Sequence, residues 1–188
     1  MSILKIEELH IDETWTLFLD RDGVINKRLV DDYVKDWSEF EFLEDVPKSV
    51  ANLSKVFGIV VVVTNQQGIG KKLMSEDDLT NIHNNMHDEI QKLGGKIDKF
   101  YHCPKLKTEK PNCRKPLPTM GLKAKEDFPQ IDFQKSIMVG DSISDMEFGQ
   151  SLGMFNVFIT PNPSEPDGKL THFQTTKLCD FTSILQYK

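Results

Sequence analysis

Asp20 and Asp22 stand two residues apart in the run Asp20-Arg21-Asp22-Gly23, directly behind the apolar stretch Thr16 to Leu19. An extended chain turns alternate side chains to one side, so both carboxylates are expected to face one site. At ~4 Å and an effective dielectric of ~20, two like charges repel by ~4 kcal/mol, which is unfavourable unless a cation or a shared proton offsets it. Hard oxygen ligands of this kind suit Mg²⁺. Alone, the pattern is equally that of a solvated turn, because Asp and Gly are common there.

Three further clusters have the same ambiguity one at a time. Thr64-Asn65-Gln66-Gln67-Gly68 follows the run Ile59 to Val63. It offers a hydroxyl, an amide and a glycine-bearing turn whose N–H groups can face an anion, though Thr-Asn is also an ordinary helix cap. Cys113-Arg114-Lys115-Pro116 sets two cations beside a proline, a pattern that also suits plain surface charge. Ile137 to Asp145 ends in Gly140-Asp141 with a second acid at Asp145, so Asp141 can complete a metal site with Asp145 behind it. Asp145 also suits the start of a helix, where the dipole favours an acid. Acids, a hydroxyl, a lysine and a distal acid together are the parts of phosphoryl transfer to a carboxylate nucleophile with Mg²⁺.

Positioning these groups requires strands that end at one place. Thr16 to Leu19, Ile59 to Val63, Ile97 to Tyr101, Ile137 to Val139 and Asn156 to Ile159 have the composition of parallel strands buried on both faces. Helices are expected between them. Ser75 to Leu93 repeats Leu79, Ile82, Met86, Ile90 and Leu93 behind a capping box of Ser75 and Asp78. Val46 to Phe57, Met120 to Phe128, Asp145 to Leu152 and Phe181 to Gln186 are the other helical stretches. This alternation predicts an α/β fold, a doubly wound parallel sheet with helices on both faces, with ligands at the carboxyl ends of the strands.

With 188 residues, 38% of them hydrophobic and 28% charged, the chain has the size and composition of one globular domain, 1–188. The net charge of -6 and the lack of a basic run argue against nucleic acid and anionic membranes as partners. No apolar run approaches the ~20 residues of a membrane span, and Met1 to Asp12 lacks the apolar core of a signal peptide, so a cytoplasmic location is expected. Cys103, Cys113 and Cys179 are therefore expected as thiols. His83 and His87, four residues apart on one helix, suggest a polar face. Oligomeric state is not legible.

The runs D-R-D-G-V-I-N (20–26), T-N-Q-Q-G-I-G (64–70), C-R-K-P (113–116) and V-G-D-S-I-S-D (139–145) resemble the four motifs of the haloacid dehalogenase superfamily. With Tyr33-Val34 and Pro118-Thr119-Met120 they are most similar to the D-glycero-D-manno-heptose 1,7-bisphosphate phosphatases and the related histidinol-phosphate phosphatases. The resemblance implies that Asp20 is the nucleophile and Asp22 the general acid and base. It implies that Thr64, Asn65, Gln66 and Lys115 bind the transferring phosphoryl group, and that Arg114 and Tyr33 read the rest of a small phosphorylated metabolite. Mg²⁺ would be held by Asp20, the backbone carbonyl of Asp22 and Asp141, with Asp145 behind them.

Only 43 residues lie between Asp20 and Thr64 and 50 between Thr64 and Lys115, so no large cap domain is expected. Substrate choice then falls to the loops Asn26 to Asp36 and His102 to Arg114. Two departures stand out. The family's four-ligand zinc loop survives here only as Cys103 and Cys113, so no zinc is expected and both are read as buried free cysteines. Ser142 stands where these phosphatases carry Lys or Arg. The expected function is hydrolysis of a phosphomonoester, heptose bisphosphate first and histidinol phosphate second. A non-catalytic phosphoryl-binding module is the reading from a different class.

Overall fold

A computed structural model describes residues 6–164 and 169–186. Six parallel strands form one sheet in the order β3-β2-β1-β4-β5-β6. They are β1 (Thr16–Leu19), β2 (Ile59–Asn65), β3 (Lys99–Cys103), β4 (Ser136–Gly140), β5 (Phe155–Ile159) and β6 (Phe173–Thr175). The helices are α1 (Val46–Leu53), the single turn α2 (Gln67–Gly70), α3 (Glu76–Lys92), α4 (Thr119–Asp127), α5 (Ile143–Leu152) and α6 (Leu178–Gln186). The chain builds outward from β1 to β3, then returns to the far side of β1 with β4. Strand order therefore reverses between β1 and β4, and crevices form at such points.

Alternation along the strands divides the core into two layers. Leu17, Leu19, Val60, Val62, Ile137 and Val139 pack with Val46, Val50 and Leu53 of α1, Met86 and Ile90 of α3, and Phe181 of α6. Their neighbours Phe18, Val61, Val63 and Met138 point the other way, onto Met120 and Ala124 of α4 and Met146 and Phe148 of α5. A strand covered on both faces has no polar side, which is why these segments read as unbroken apolar runs.

Local chemistry moves several boundaries from those expected. Ser75 caps α3 and Asp78 returns the bond to the Ser75 N–H, so the capping box is present. β3 starts at Lys99, two residues late, because Asp98 occupies the ladder itself: its N–H donates to the Val60 carbonyl (2.7 Å) and its carboxylate accepts from the Val60 N–H (2.8 Å). β6 escapes sequence reading because Phe-Gln-Thr is a three-residue edge strand with no apolar run. His83 is not on a polar face: it is buried and stacks on Phe100, with ring centroids 4.5 Å apart. No helix among the described residues is long and apolar enough to cross a membrane.

Candidate active site

The carboxyl ends of β1, β2 and β4 open into a cavity of about 740 Å³, lined by Asp20, Asp22, Thr64, Asn65, Lys115, Asp141 and Asp145, with Arg28, Tyr33, Lys71, Lys107 and Arg114 farther out. At its floor Lys115 is almost wholly buried. Its ammonium donates to Asp20 Oδ1 (2.8 Å) and the Val63 carbonyl (2.6 Å) and pairs with Asp145 Oδ1 (2.6 Å). Burial alone would depress the ammonium pKa, but Asp145 and Asp20 carry it above its ordinary value. Burial, with Asp145 next, pushes the Asp20 carboxyl up to about 7 against the pull of Lys115.

Asp141 faces Asp20 across this floor. Its carboxyl is also raised, by burial first and then by Asp145, and its buried Oδ1 has no hydrogen-bond partner. One oxygen from each of Asp20, Asp141 and Asp145 lies within 4.8 Å of the others. The second oxygen of Asp145 is already committed to the N–H and hydroxyl of Ser142 (3.1 and 2.6 Å), which caps α5. Asp20 and Asp141 are thus the carboxylates left with capacity for a ligand. Gly23 (φ +91°) makes the arrangement possible: a Cβ there would sit 2.0 Å from Asp141 Oδ2. Clustered acids with an unpartnered buried oxygen fit a hard divalent cation.

Asp22 lines the same cavity but points its carboxylate to a separate set of donors. It accepts from Arg21 Nη2 (2.8 and 2.9 Å), Asn26 Nδ2 (3.0 Å) and Gln66 Nε2 (2.9 Å). Burial raises its pKa, yet Arg21 and these donors hold the net value below the ordinary carboxylate range. Gln66 also donates to Thr64 Oγ1 (2.8 Å), and its side chain is buried. The Gln66 side chain, expected among the phosphate- or substrate-binding groups, uses both amide donors to span Thr64 and Asp22. Asn65 likewise grips the Lys115 peptide, accepting from its N–H (2.9 Å) and donating to its carbonyl (3.3 Å).

The expectation for the two cysteines is corrected. Cys103 and Cys113 form a disulfide, with Cα atoms 5.5 Å apart, rather than two free thiols. β3 delivers Cys103 at its end. Asn112 turns the chain back by accepting from the N–H groups of Cys113 (2.8 Å) and Arg114 (3.0 Å) while donating to the carbonyls of Leu106 and Glu109. The loop is closed at the position immediately before Arg114 and Lys115. Arg114 keeps a buried Nη1 without a hydrogen-bond partner, beside a second cavity of about 630 Å³ that also touches Lys107 and Lys110.

A family model described as "Polynucleotide kinase 3 phosphatase" matches residues 16–177. The D-glycero-alpha-D-manno-heptose-1,7-bisphosphate 7-phosphatase of Mycobacterium tuberculosis H37Rv is 41% identical over 138 residues, 73% of each chain. The chain belongs to the haloacid dehalogenase-like heptose-bisphosphate phosphatase family. A family member from Vibrio cholerae, named for the beta anomer, is 38% identical over 146 residues, covering 73% of this chain and 76% of the relative. The D,D-heptose 1,7-bisphosphate phosphatase of B. bronchiseptica, solved with magnesium and phosphate, superposes with a TM-score of 0.81 at 27% identity, covering 93% of this chain and 99% of that one. At 10% identity and a TM-score of 0.59, L-2-haloacid dehalogenase from Xanthobacter autotrophicus (91% and 98% covered) shares the fold.

Within this family's scaffold the structure adds residues that motif reading did not single out. Gln67 joins the two cavity walls: its Nε2 donates to Tyr33 Oη (3.1 Å) and its Oε1 accepts from the Lys107 N–H (3.0 Å). Lys71 lies 5.0 Å from the centre of the Tyr33 ring. Arg21 is buried behind Asp22. The available signal was basic residues inside or beside the two substrate loops, which motif spacing alone does not rank.

Proposed function

We propose that this chain is a divalent-cation-dependent phosphomonoesterase for a small sugar phosphate carrying a second anionic group, with D-glycero-D-manno-heptose 1,7-bisphosphate as its first candidate substrate. The observation that carries this reading is the buried Lys115 ammonium between Asp20 and Asp145, opposite the unpartnered oxygen of Asp141. The names of the relatives support the sugar, and the B. bronchiseptica complex supports magnesium.

Asp20 and Asp141, with the Asp22 backbone carbonyl, would hold the cation, which supplies charge neutralisation at the phosphoryl oxygens. Asp20 attacks phosphorus, the bond from phosphorus to the leaving oxygen breaks, and that oxygen takes a proton from Asp22. In the second step Asp22 takes a proton from water, the water oxygen attacks the aspartyl-phosphate, and Asp20 leaves with orthophosphate released. Held ionised by three donors, Asp22 is a base; a phosphoryl dianion beside it raises its proton affinity by like-charge repulsion and sets up the acid half. Lys115 pulls Asp20 toward its ionised form against burial and aims it, because its own position is fixed by Asp145, the Val63 carbonyl and the Asn65 clamp. Thr64 faces the transferring group, and Arg114 with Tyr33 receives the distal anion.

The test is phosphate release from both anomers of heptose 1,7-bisphosphate, histidinol phosphate, an aryl phosphate and a 3′-phosphorylated oligonucleotide, with Mg²⁺ and with EDTA. Preferred, Mg²⁺-dependent release from one heptose anomer is the expected result. Preference for the oligonucleotide would move the reading to the activity for which the matching family model is named. Phosphate binding without release from any ester would favour the non-catalytic module.

A further inference from the structure

Loop 26–36 is anchored on both sides of its path over the cavity. Asn26 donates to Asp22 and to the Lys27 carbonyl (2.8 Å), and Tyr33 is held by Gln67. Between these anchors Arg28 crosses to the opposite wall, where its Nη1 donates to Asp141 Oδ2 at 3.2 Å, 113 positions along the chain. Val30 is 88% exposed and Asp31 takes φ +57°, so the tip beside Arg28 projects into solvent. The Arg28 side chain is 61% exposed, and an ion pair so exposed holds weakly and exchanges readily.

The contact falls on one of the two carboxylates with capacity for a cation. Arg28 takes Oδ2 and leaves the buried Oδ1 without a partner, so a divalent ion bound at Oδ1 shares one carboxylate with the guanidinium and, carrying twice the charge, repels it from Oδ2. The guanidinium is a planar fork with five N–H donors matched to phosphoryl oxygens, whereas Lys115 below it is already bound by three acceptors.

We propose that Arg28 is an exchangeable anion-binding residue: it neutralises Asp141 in the cation-free protein and, once a divalent cation has taken Asp141, turns to the phosphoryl group of the substrate. This rests on the phosphatase reading above and adds to it a substrate contact supplied by loop 26–36. Order of binding follows from it, cation first and phosphorylated ligand second, because the cation at Asp141 releases the Arg28 guanidinium that the phosphoryl group then meets.

The experiment uses the full chain and calorimetry. Mg²⁺ is titrated into cation-free protein, and inorganic phosphate into Mg²⁺-loaded protein, for wild type, Arg28→Ala, Arg28→Lys and Lys27→Ala. Arg28→Ala is expected to bind Mg²⁺ about threefold more tightly, because the repelling guanidinium is gone, and phosphate about tenfold more weakly. Arg28→Lys recovers part of the phosphate affinity. Lys27 carries the same charge in the same loop but pairs with Glu41 and lies outside the cavity lining, so Lys27→Ala keeps both wild-type constants. In turnover, Arg28→Ala raises KM more than it lowers kcat. Unchanged phosphate affinity in Arg28→Ala overturns the proposal, as do equal shifts in Arg28→Ala and Lys27→Ala, which reduce the effect to net charge. Wild-type protein that releases phosphate from no ester instead marks a failure of the phosphatase reading.

Discussion

Gly23 and Asp141 share a space with no room for a methyl group. A Cβ on Gly23 would lie 2.0 Å from Asp141 Oδ2 and 2.5 Å from its Cγ, and the φ of +91° disfavours any L side chain there. Gly23→Ala is therefore expected to displace the Asp141 carboxylate, weaken Mg²⁺ binding at least tenfold and reduce phosphate release in step, while the far-ultraviolet spectrum stays that of wild type. Wild-type Mg²⁺ affinity in this variant would separate Asp141 from the cation.

Asp20→Asn should abolish turnover and, without divalent cations, stabilise the fold at alkaline pH. The Asp20 carboxyl is raised to about 7, above its unfolded value, so the folded state holds its proton more tightly and stability falls as pH rises from about 4 to 7. The amide removes that penalty. Thermal denaturation should give a higher Tm than wild type at pH 8 and a difference that shrinks toward pH 4; a lower Tm at pH 8 would contradict a net cost of ionising Asp20, which burial and then Asp145 impose.

The same carboxyl couples cation binding to pH. Below about 7 a proton must leave Asp20 before the cation binds, so Mg²⁺ affinity is expected to be about tenfold weaker at pH 6 than at pH 8, with roughly one proton released per ion at pH 6. Calorimetry in two buffers of different ionisation enthalpy counts the proton.

His83 should make the protein acid-sensitive. Burial, followed by the Arg21 charge, lowers its pKa to about 3, and its Nε2 has no hydrogen-bond partner. The unfolded chain takes up a proton near pH 6.5 that the folded chain refuses, so stability is lost as pH falls between these values. His83→Phe, stacked on Phe100 in its place, should gain about 2 kcal/mol relative to wild type at pH 5 and little from this cause at pH 8. Urea denaturation at the two pH values measures it.

Reducing Cys103–Cys113 should loosen the loop that leads into Arg114 and Lys115. Closing a short loop is worth about 2 to 4 kcal/mol, so dithiothreitol or Cys113→Ser is expected to lower Tm by several degrees and raise the substrate KM, while Cys179→Ser changes neither. Alkylation of unreduced protein labels Cys179 alone if the bond is present.

Much of this site is legible in the chain because its parts are local. Asp20-Arg21-Asp22-Gly23 and Gly140-Asp141 each sit one step beyond an apolar run, and such runs mark where the buried strands lie to within a residue or two. The positions of β1, β2, β4 and β5, the α3 capping box and the layered core follow from period and side-chain type, which are properties of neighbours in sequence. The family resemblance in the four motifs extended that reading from chemistry to substrate class.

Other features depend on which strand ends lie side by side. Gln66 reads as a phosphate- or substrate-binding group in sequence, and the β1–β2 pairing puts Asp22 within reach of its amide. Cys103 and Cys113 read as thiols until the Asn112 turn brings their Cα atoms to 5.5 Å. Arg28 is one basic residue among many until β1 and β4 pair and set Asp141 across from it, 113 positions away. Sequence alone determined the kinds of groups and the strand ends that carry them, because both are set by short-range periodicity. Only the tertiary structure decided which group each one touches, because contacts across strands are fixed by register and packing, not by distance along the chain.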